Sequence, residues 1–272
     1  MILVVGKNSF LAKEFLARAQ GLLVRAISHA EINDKRVFRG ISCIVNFSFS
    51  PVLCEQHYVQ SFDIDARLAH LAADTGAHYV MLSSRKVYQK AIQWGAREDA
   101  HATGSDIYGQ NKLRIENELI AALGNRLTIL RPGNIFGYER QPQRKRFGAY
   151  LLNQLAATGA IRLTVSPFVR RDVVPVDFFC EVLREVVVRK PGGIINVGAE
   201  KSMEIGRIAL WLIDGFGSGR MVAESPVEED EFQLNTERLR STLGLSCDQD
   251  RLAEFSVELG RRLRREMDRD VD

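Results

Sequence analysis

Cysteine, histidine and proline are all sparse in this chain of 272 residues, and the first two shortages exclude whole classes of chemistry. The four cysteines, Cys43, Cys54, Cys180 and Cys247, include no CxxC pair, which argues against a disulfide framework and against a zinc site. They are expected to be reduced thiols, mostly buried. The five histidines show no HxxxH or HxxE spacing, so no metal site is expected. No apolar stretch approaches the roughly 20 residues of a membrane-crossing helix. Met1 leads directly into the apolar run Ile2 to Val5 with no basic leader, so no signal peptide and a cytoplasmic location are expected. A formal charge of +3 is too near balance to point to nucleic acid. What remains, 46% hydrophobic and 26% charged residues, suits a globular chain able to bury a core.

Apolar periodicity supplies the architecture. Residues 2–5 are continuously apolar and run into Gly6, as a parallel strand buried on both faces should. Helical spacing follows over 10–20, then strands over 22–27 and 43–49, a helix over 64–74 and a strand over 79–82. A helix over 111–123 and a strand over 127–130 continue the alternation. Such alternation predicts an α/β fold with a Rossmann-type, doubly wound parallel sheet. The second half is less regular: a basic, proline-bearing stretch at 141–146, a helix over 147–157, and short strands over 173–176 and 194–197. The expected division is a nucleotide-binding domain over 1–165, also receiving parts of 172–200, and a smaller, interleaved substrate-binding region over 166–272.

Three places carry chemistry. Gly6-Lys7-Asn8-Ser9-Phe10-Leu11-Ala12 follows the first strand, where a dinucleotide fold places the glycine-rich turn that brings backbone N–H groups to a pyrophosphate. Only Gly6 is kept; Ser9 and Ala12 stand at the other glycine positions, and Ser9 either crowds the phosphate or hydrogen-bonds it. Tyr108 and Lys112 are spaced to share one helical face, where an ammonium beside a phenol favours the phenolate and tunes it for proton transfer. Taken alone, the same pair could be an exposed Tyr and Lys on a solvated helix. Ser84 ends the strand about twenty residues earlier, in the crevice where α/β sheets bind ligands.

Leu82-Ser83-Ser84-Arg85-Lys86-Val87-Tyr88 followed by Tyr108-x-x-x-Lys112 resembles the extended short-chain dehydrogenases, the NAD-dependent epimerase/dehydratase family of nucleotide-sugar enzymes. Further segments are similar in the same order: Leu130 to Gly137, Arg171 to Asp177, Ile195 to Gly198 and Leu234 to Leu239. The resemblance implies that Ser84 orients the substrate, Tyr108 is the acid/base, and Lys112 tunes Tyr108 and holds the nicotinamide ribose. It implies cofactor contacts from Gly6, Asn8, Ser9, Phe10, Leu11, Arg25, Ser28, Phe47, Ser48 and Lys112. Asn134 and Arg171, with Ser84, would face the nucleotide sugar, although Arg171 could instead pair with Asp172 or Asp177. A homodimer built on the helix bearing Lys112 and its predecessor is also implied.

Relatives that eliminate water resemble one another in an acidic pair after the catalytic Ser or Thr; here Arg85 and Lys86 occupy those positions, which disfavours a 4,6-dehydratase. The reduced glycine turn suits a cofactor exchanged at every turnover. The expected activity is therefore NAD(P)H-dependent reduction of a keto group, at C4, of a nucleotide-linked deoxysugar, in deoxysugar or polysaccharide synthesis. A 4-epimerase is the alternative, and a cofactor-holding sensor without turnover is the alternative of another class. No carboxylate stands immediately at the end of the second strand, and Arg25, Ser28 and His29 could take a 2′-phosphate, so the reading leans to NADP(H) over NAD(H), although Glu31 could reach a ribose. Arg261, Arg262, Arg264 and Arg265 read as a solvated helix face. Arg144, Lys145 and Arg146 either attract a diphosphate or form a loop, and the segment around Trp94 either covers the site or lies on the surface.

Overall fold

The computed structural model describes residues 1–139 and 147–269. The first half runs β1 (Ile2–Val5), α1 (Phe10–Ala17), β2 (Val24–Ile27), β3 (Cys43–Asn46), the one-turn α2 (Val52–Glu55), α3 (Ile64–Thr75), β4 (His78–Leu82), β5 (Trp94–Ala96), α4 (Ile107–Leu123) and β6 (Leu127–Pro132). The second half runs β7 (Asn134–Phe136), α5 (Phe147–Thr158), β8 (Ala160–Leu163), β9 (Arg170–Arg171), β10 (Val173–Pro175), α6 (Val176–Arg189) and β11 (Gly193–Val197). It ends with β12 (Met203–Glu204), α7 (Ile205–Phe216), β13 (Arg220–Ala223), β14 (Gln233–Leu234), α8 (Glu237–Leu243) and α9 (Gln249–Arg269).

Six strands form one parallel sheet in the order β11-β6-β4-β3-β1-β2. Alternate residues of each strand enter opposite cores, as a period of two requires. Ile2, Val4, Cys43, Val45 and Val80 pack with Phe15 of α1 and Val182 and Val186 of α6. Leu3, Val5, Ile44, Tyr79 and Met81 pack with Leu68 of α3 and Ile115 and Leu119 of α4. Both faces being covered, these strands read as continuous apolar runs. The order reverses between β1 and β3: the chain leaves β1 for β2 on one side, then returns to lay β3 on the other. Ligand crevices open at such a switch point.

A separate apolar cluster joins Leu151 and Leu155 of α5, Ile161 and Leu163 of β8, Ile208 and Leu212 of α7, and Leu259 and Leu263 of α9. It takes in residues on both sides of position 165. Two element boundaries differ from the sequence reading for local polar reasons. The third strand stops at Asn46, not 49, because the Asn46 side chain takes both polar backbone groups of Ser48, donating to its carbonyl at 3.0 Å and accepting from its N–H at 2.9 Å. The helix bearing Lys112 starts four residues early, at Ile107, because Asp106 caps it by accepting from Gly109 N–H at 2.8 Å. No helix among the described residues is long and apolar enough to cross a membrane.

Candidate active site

A cavity of about 920 Å³ opens over the carboxyl ends of β3, β4 and β6, where Asn46, Leu82 and Pro132 lie in its wall. The structure brings Phe10, Leu11, Phe47, Ser48, Ser84, Tyr108, Lys112, Asn134 and Arg171 into this one space. Phe10 and Leu11 reach it because they open α1, whose first-turn N–H groups have no acceptor within the helix and therefore favour an anion. Gly6, Asn8, Ser9, Arg25 and Ser28 are not part of the cavity wall. Ser9 caps α1, its Oγ accepting from Ala12 N–H at 3.2 Å. The Arg25 guanidinium donates to the Val37 carbonyl at 2.7 Å and the Arg36 carbonyl at 3.4 Å; it does not face the cavity.

Ser84 ends β4 and opens a short turn. Its Oγ accepts from Lys86 N–H at 3.2 Å, which leaves the hydroxyl proton to be donated elsewhere. Tyr108 and Lys112 lie one turn apart on α4, and α4 approaches the turn after Ser84 closely. A Cβ on Gly109 would stand 2.0 Å from the Lys86 carbonyl oxygen, so only glycine permits this contact. Lys112 is buried, with its Nζ donating to the Leu82 carbonyl at 2.8 Å and lying 4.0 Å from the Phe49 ring centroid. Burial pushes its pKa down, against the pull of Asp65, Glu116 and Asp63. Phe49 also meets Tyr108 edge-to-face, with centroids 5.4 Å apart.

On the far side of Ser84 the wall is charged. Arg85 is buried, stacks 3.5 Å over the Phe232 ring, and donates through Nη2 to both carboxylate oxygens of Asp230 at 2.9 and 2.8 Å, with Nη1 on Gln93. Arg171 pairs with neither Asp172 nor Asp177: its Nε donates to the Asp230 carbonyl at 3.3 Å and its Nη2 lies 3.9 Å from the Asp230 carboxylate. Burial lowers the Arg171 pKa. Lys86 pairs with Asp106. Asp172 is instead a buried staple, accepting from Ala199 N–H at 2.7 Å and Leu234 N–H at 3.0 Å. Tyr88, quoted in the same motif as Ser84, is wholly buried and bonded to Arg131 and Asn196, a structural role.

Phe49, Arg85, Lys86 and Asp230 belong to the cavity wall, and the sequence reading assigned none of them to the site. Arg85 and Lys86 were visible as departures from the expected motif; Asp230, inside the acidic run 228–231, had no spacing signal at all. Trp94 stands 57% exposed on β5 and is outside the cavity wall. Arg144, Lys145 and Arg146 lie outside the described residues. Arg261, Arg262, Arg264 and Arg265 are on the exposed side of α9, as expected.

The donor set suits a nicotinamide dinucleotide. Gly6 has φ +87°, and a Cβ there would stand 2.4 Å from Ser48 Oγ, so the turn after β1 closes against the loop after β3 with bare backbone. That leaves α1's N-terminus and Lys112 facing one space.

Solved structures share this fold. A UDP-N-acetylglucosamine 4-epimerase from Methanobrevibacter ruminantium, in complex with UDP-N-acetylmuramic acid, superposes with TM-score 0.82 at 15% identity over 96% of each chain. A dTDP-glucose 4,6-dehydratase from Bacillus anthracis, in complex with NAD, gives 0.78 at 13% identity over 96% of each. A dTDP-4-dehydrorhamnose reductase from Yersinia enterocolitica gives 0.74 at 16% identity over 95% of this chain and 99% of that one. At such identities the likeness speaks for the fold. No curated protein matches the sequence. The family model for the NAD dependent epimerase/dehydratase family does match, over residues 53–198, from α2 through the end of β11. That span is more than half of the chain and contains Ser84, Tyr108, Lys112, Asn134 and Arg171, and on it the protein belongs to the NAD dependent epimerase/dehydratase family.

Proposed function

We propose that this protein reduces a keto group, at C4, of a nucleotide-linked deoxysugar in deoxysugar or polysaccharide biosynthesis. The observation that carries this reading is the convergence of Ser84, Tyr108 and Lys112 on one cavity that also takes in Asn134 and Arg171. A nicotinamide bound there supplies the hydride. The Ser84 hydroxyl holds the carbonyl oxygen, and Tyr108 donates the proton which that oxygen takes up. Lys112, one turn along α4, favours the phenolate left behind. Arg171 and Asn134 hold the nucleotide side, the planar guanidinium matching a diphosphate oxygen pair. Where a dehydratase needs an acid and a base, Arg85 and Lys86 are cations already paired with Asp230 and Asp106, which supports simple redox.

Glu31 favours NAD(H), against the lean of the sequence reading. Its Oε2 accepts from Ser28 N–H at 2.8 Å and from Lys7 Nζ at 3.0 Å, so it sits at the end of β2 beside the turn after Gly6, where the adenosine ribose is read. A carboxylate there suits a 2′-hydroxyl and repels a 2′-phosphate. A homodimer through α3 and α4 is part of the proposal, supported by Ile120 of α4, which stands 44% exposed. Light scattering of the parent and of Ile120→Glu tests it: a parent already monomeric sinks the dimer.

The test of function is loss of nicotinamide absorbance with NADH or NADPH and a panel of 4-keto-6-deoxy sugar nucleotides. Consumption that disappears in Tyr108→Phe is the expected result. Interconversion of two sugar epimers without net cofactor consumption would replace the reductase with a 4-epimerase. Cofactor binding without turnover of any substrate would leave a sensor.

A further inference from the structure

We infer that Phe49 is a positioning residue for the proton-transfer pair: its ring is the surface that joins the Lys112 ammonium to the Tyr108 phenol and covers the ammonium from water. The ring is in contact with both, 4.0 Å from Lys112 Nζ and edge-to-face with Tyr108 at 5.4 Å. Lys112 itself is only 4% exposed. An aromatic face stabilises a cation by its quadrupole, and does so more strongly where water is excluded. The inference rests on Tyr108 and Lys112 acting as proposed above.

The ring does not reach this place by chance. The loop that carries it, between β3 and α2, is pinned at both ends. Before it, Asn46 binds both backbone groups of Ser48 and donates through Nδ2 to Asp65 at 2.8 Å. After it, Asn111 donates through Nδ2 to the carbonyls of Leu53 and Gln56 at 2.8 and 2.7 Å. Asn111 immediately precedes Lys112, so the segment after Phe49 is tied to the helix turn that bears the ammonium. Small residues here would leave Lys112 open to the cavity.

The other charged groups around the ammonium are fixed. Asp65 of α3 accepts from Asn46 and from the Tyr79 hydroxyl, Asp63 caps α3 by accepting from Ala66 N–H, and Glu116 of α4 is neutralised by Arg131; the uncharged Cys54 thiol of α2 lies nearby. Lys86 pairs with Asp106 at the start of α4, and Arg85 pairs with Asp230 across the cavity wall. None of these partnerships involves Phe49, so changing Phe49 alters the Lys112–Tyr108 coupling and leaves the rest of the charge set in place.

The test is a titration of the cofactor-free protein, following tyrosinate absorbance against pH. The difference between the parent and Tyr108→Phe isolates the Tyr108 step. Phe49→Leu keeps the apolar cover and removes the ring; it should move that step up by about half a unit or more, roughly a threefold loss of phenolate at a given pH. Phe49→Tyr should restore it, and serves if the leucine variant folds poorly. The basic limb of kcat/KM for reduction, where the phenol loses the proton it must donate, should move with the step. A step that stays in place in Phe49→Leu overturns the inference. So does an unmoved step accompanied by tighter NADH binding, which would make Phe49 an occupant of the cofactor's space. A parent with no Tyr108 step apart from the other tyrosines sinks the tuned phenol and Phe49's role together.

Discussion

Glu116 of α4 and Arg131 of β6 form an ion pair with almost no access to water: Nη2 and Oε2 are 2.5 Å apart, and the side chains are 1% and 4% exposed. Glu116 also accepts from Ser83, and Arg131 donates to the Tyr88 hydroxyl at 2.9 Å, so the pair ties the end of β4, β6 and α4 together. Removing one partner of a buried pair strands a charge. Glu116→Leu or Arg131→Met should therefore cost about 3–5 kcal/mol of unfolding free energy, while the double variant Glu116→Leu/Arg131→Met should recover much of that loss. Denaturant unfolding of the four proteins measures the coupling; additive losses would contradict it.

Gly109 sets the distance between the turn after Ser84 and the helix bearing Tyr108. Because its Cβ would meet backbone, at 2.0 Å from the Lys86 carbonyl oxygen, Gly109→Ala must push α4 away. Overpacking of this kind costs about 1–3 kcal/mol, and the displaced phenol should lose at least about tenfold in kcat. Steady-state kinetics beside a thermal melt separates the effects: full kcat in a destabilised variant would show that the contact does not position the pair.

Two buried groups give stability opposite slopes with pH. Burial pushes the His78 pKa down to about 4 from 6.5, and its ring nitrogen lies 2.8 Å from Thr128 Oγ1. Its contribution is present above about 6.5 and lost as pH falls toward about 4, on the order of 3 kcal/mol in full. Burial pushes the Asp172 carboxyl up to about 7 from 3.8, so its contribution is present below about 3.8 and lost as pH rises through about 7. The slopes oppose each other between roughly pH 4 and 6.5. Denaturation midpoints of His78→Gln should fall as pH rises through this window, and those of Asp172→Asn should rise. Parallel profiles in both variants and the parent would rule this out. Asp172→Asn should also be less stable throughout, since its amide faces an N–H donor where the carboxylate accepted one.

The cofactor preference should turn on Glu31. Glu31→Ala should raise NADPH affinity about tenfold relative to NADH, because the carboxylate leaves while Lys7 is freed for a 2′-phosphate. Calorimetric Kd values for the two cofactors check this, and an unchanged ratio would place the ribose elsewhere.

Much of the fold is legible in the chain. β1, β3, β4 and β6 stand out because strands covered on both faces are apolar at every position, and Ser84, Tyr108 and Lys112 stand out because hydrogen bonding and helical spacing are local. The strand end at Asn46 and the helix start at Asp106 were misjudged by a few residues. Apolar pattern does not report which polar side chain captures the backbone there.

Sequence alone determined the parallel α/β sheet, the order of its strands along the chain, and the one cavity-facing set that a short-range motif can encode. Tertiary structure decided the rest. Asp230 meets Arg85 across 145 positions, Arg25 turns to backbone carbonyls instead of the cavity, and Phe49 settles on Lys112. Each of these is a pairing between segments distant in the chain. Its partner is chosen by which groups the folded core leaves facing one another once burial has made an unpaired charge costly. No periodicity records that choice.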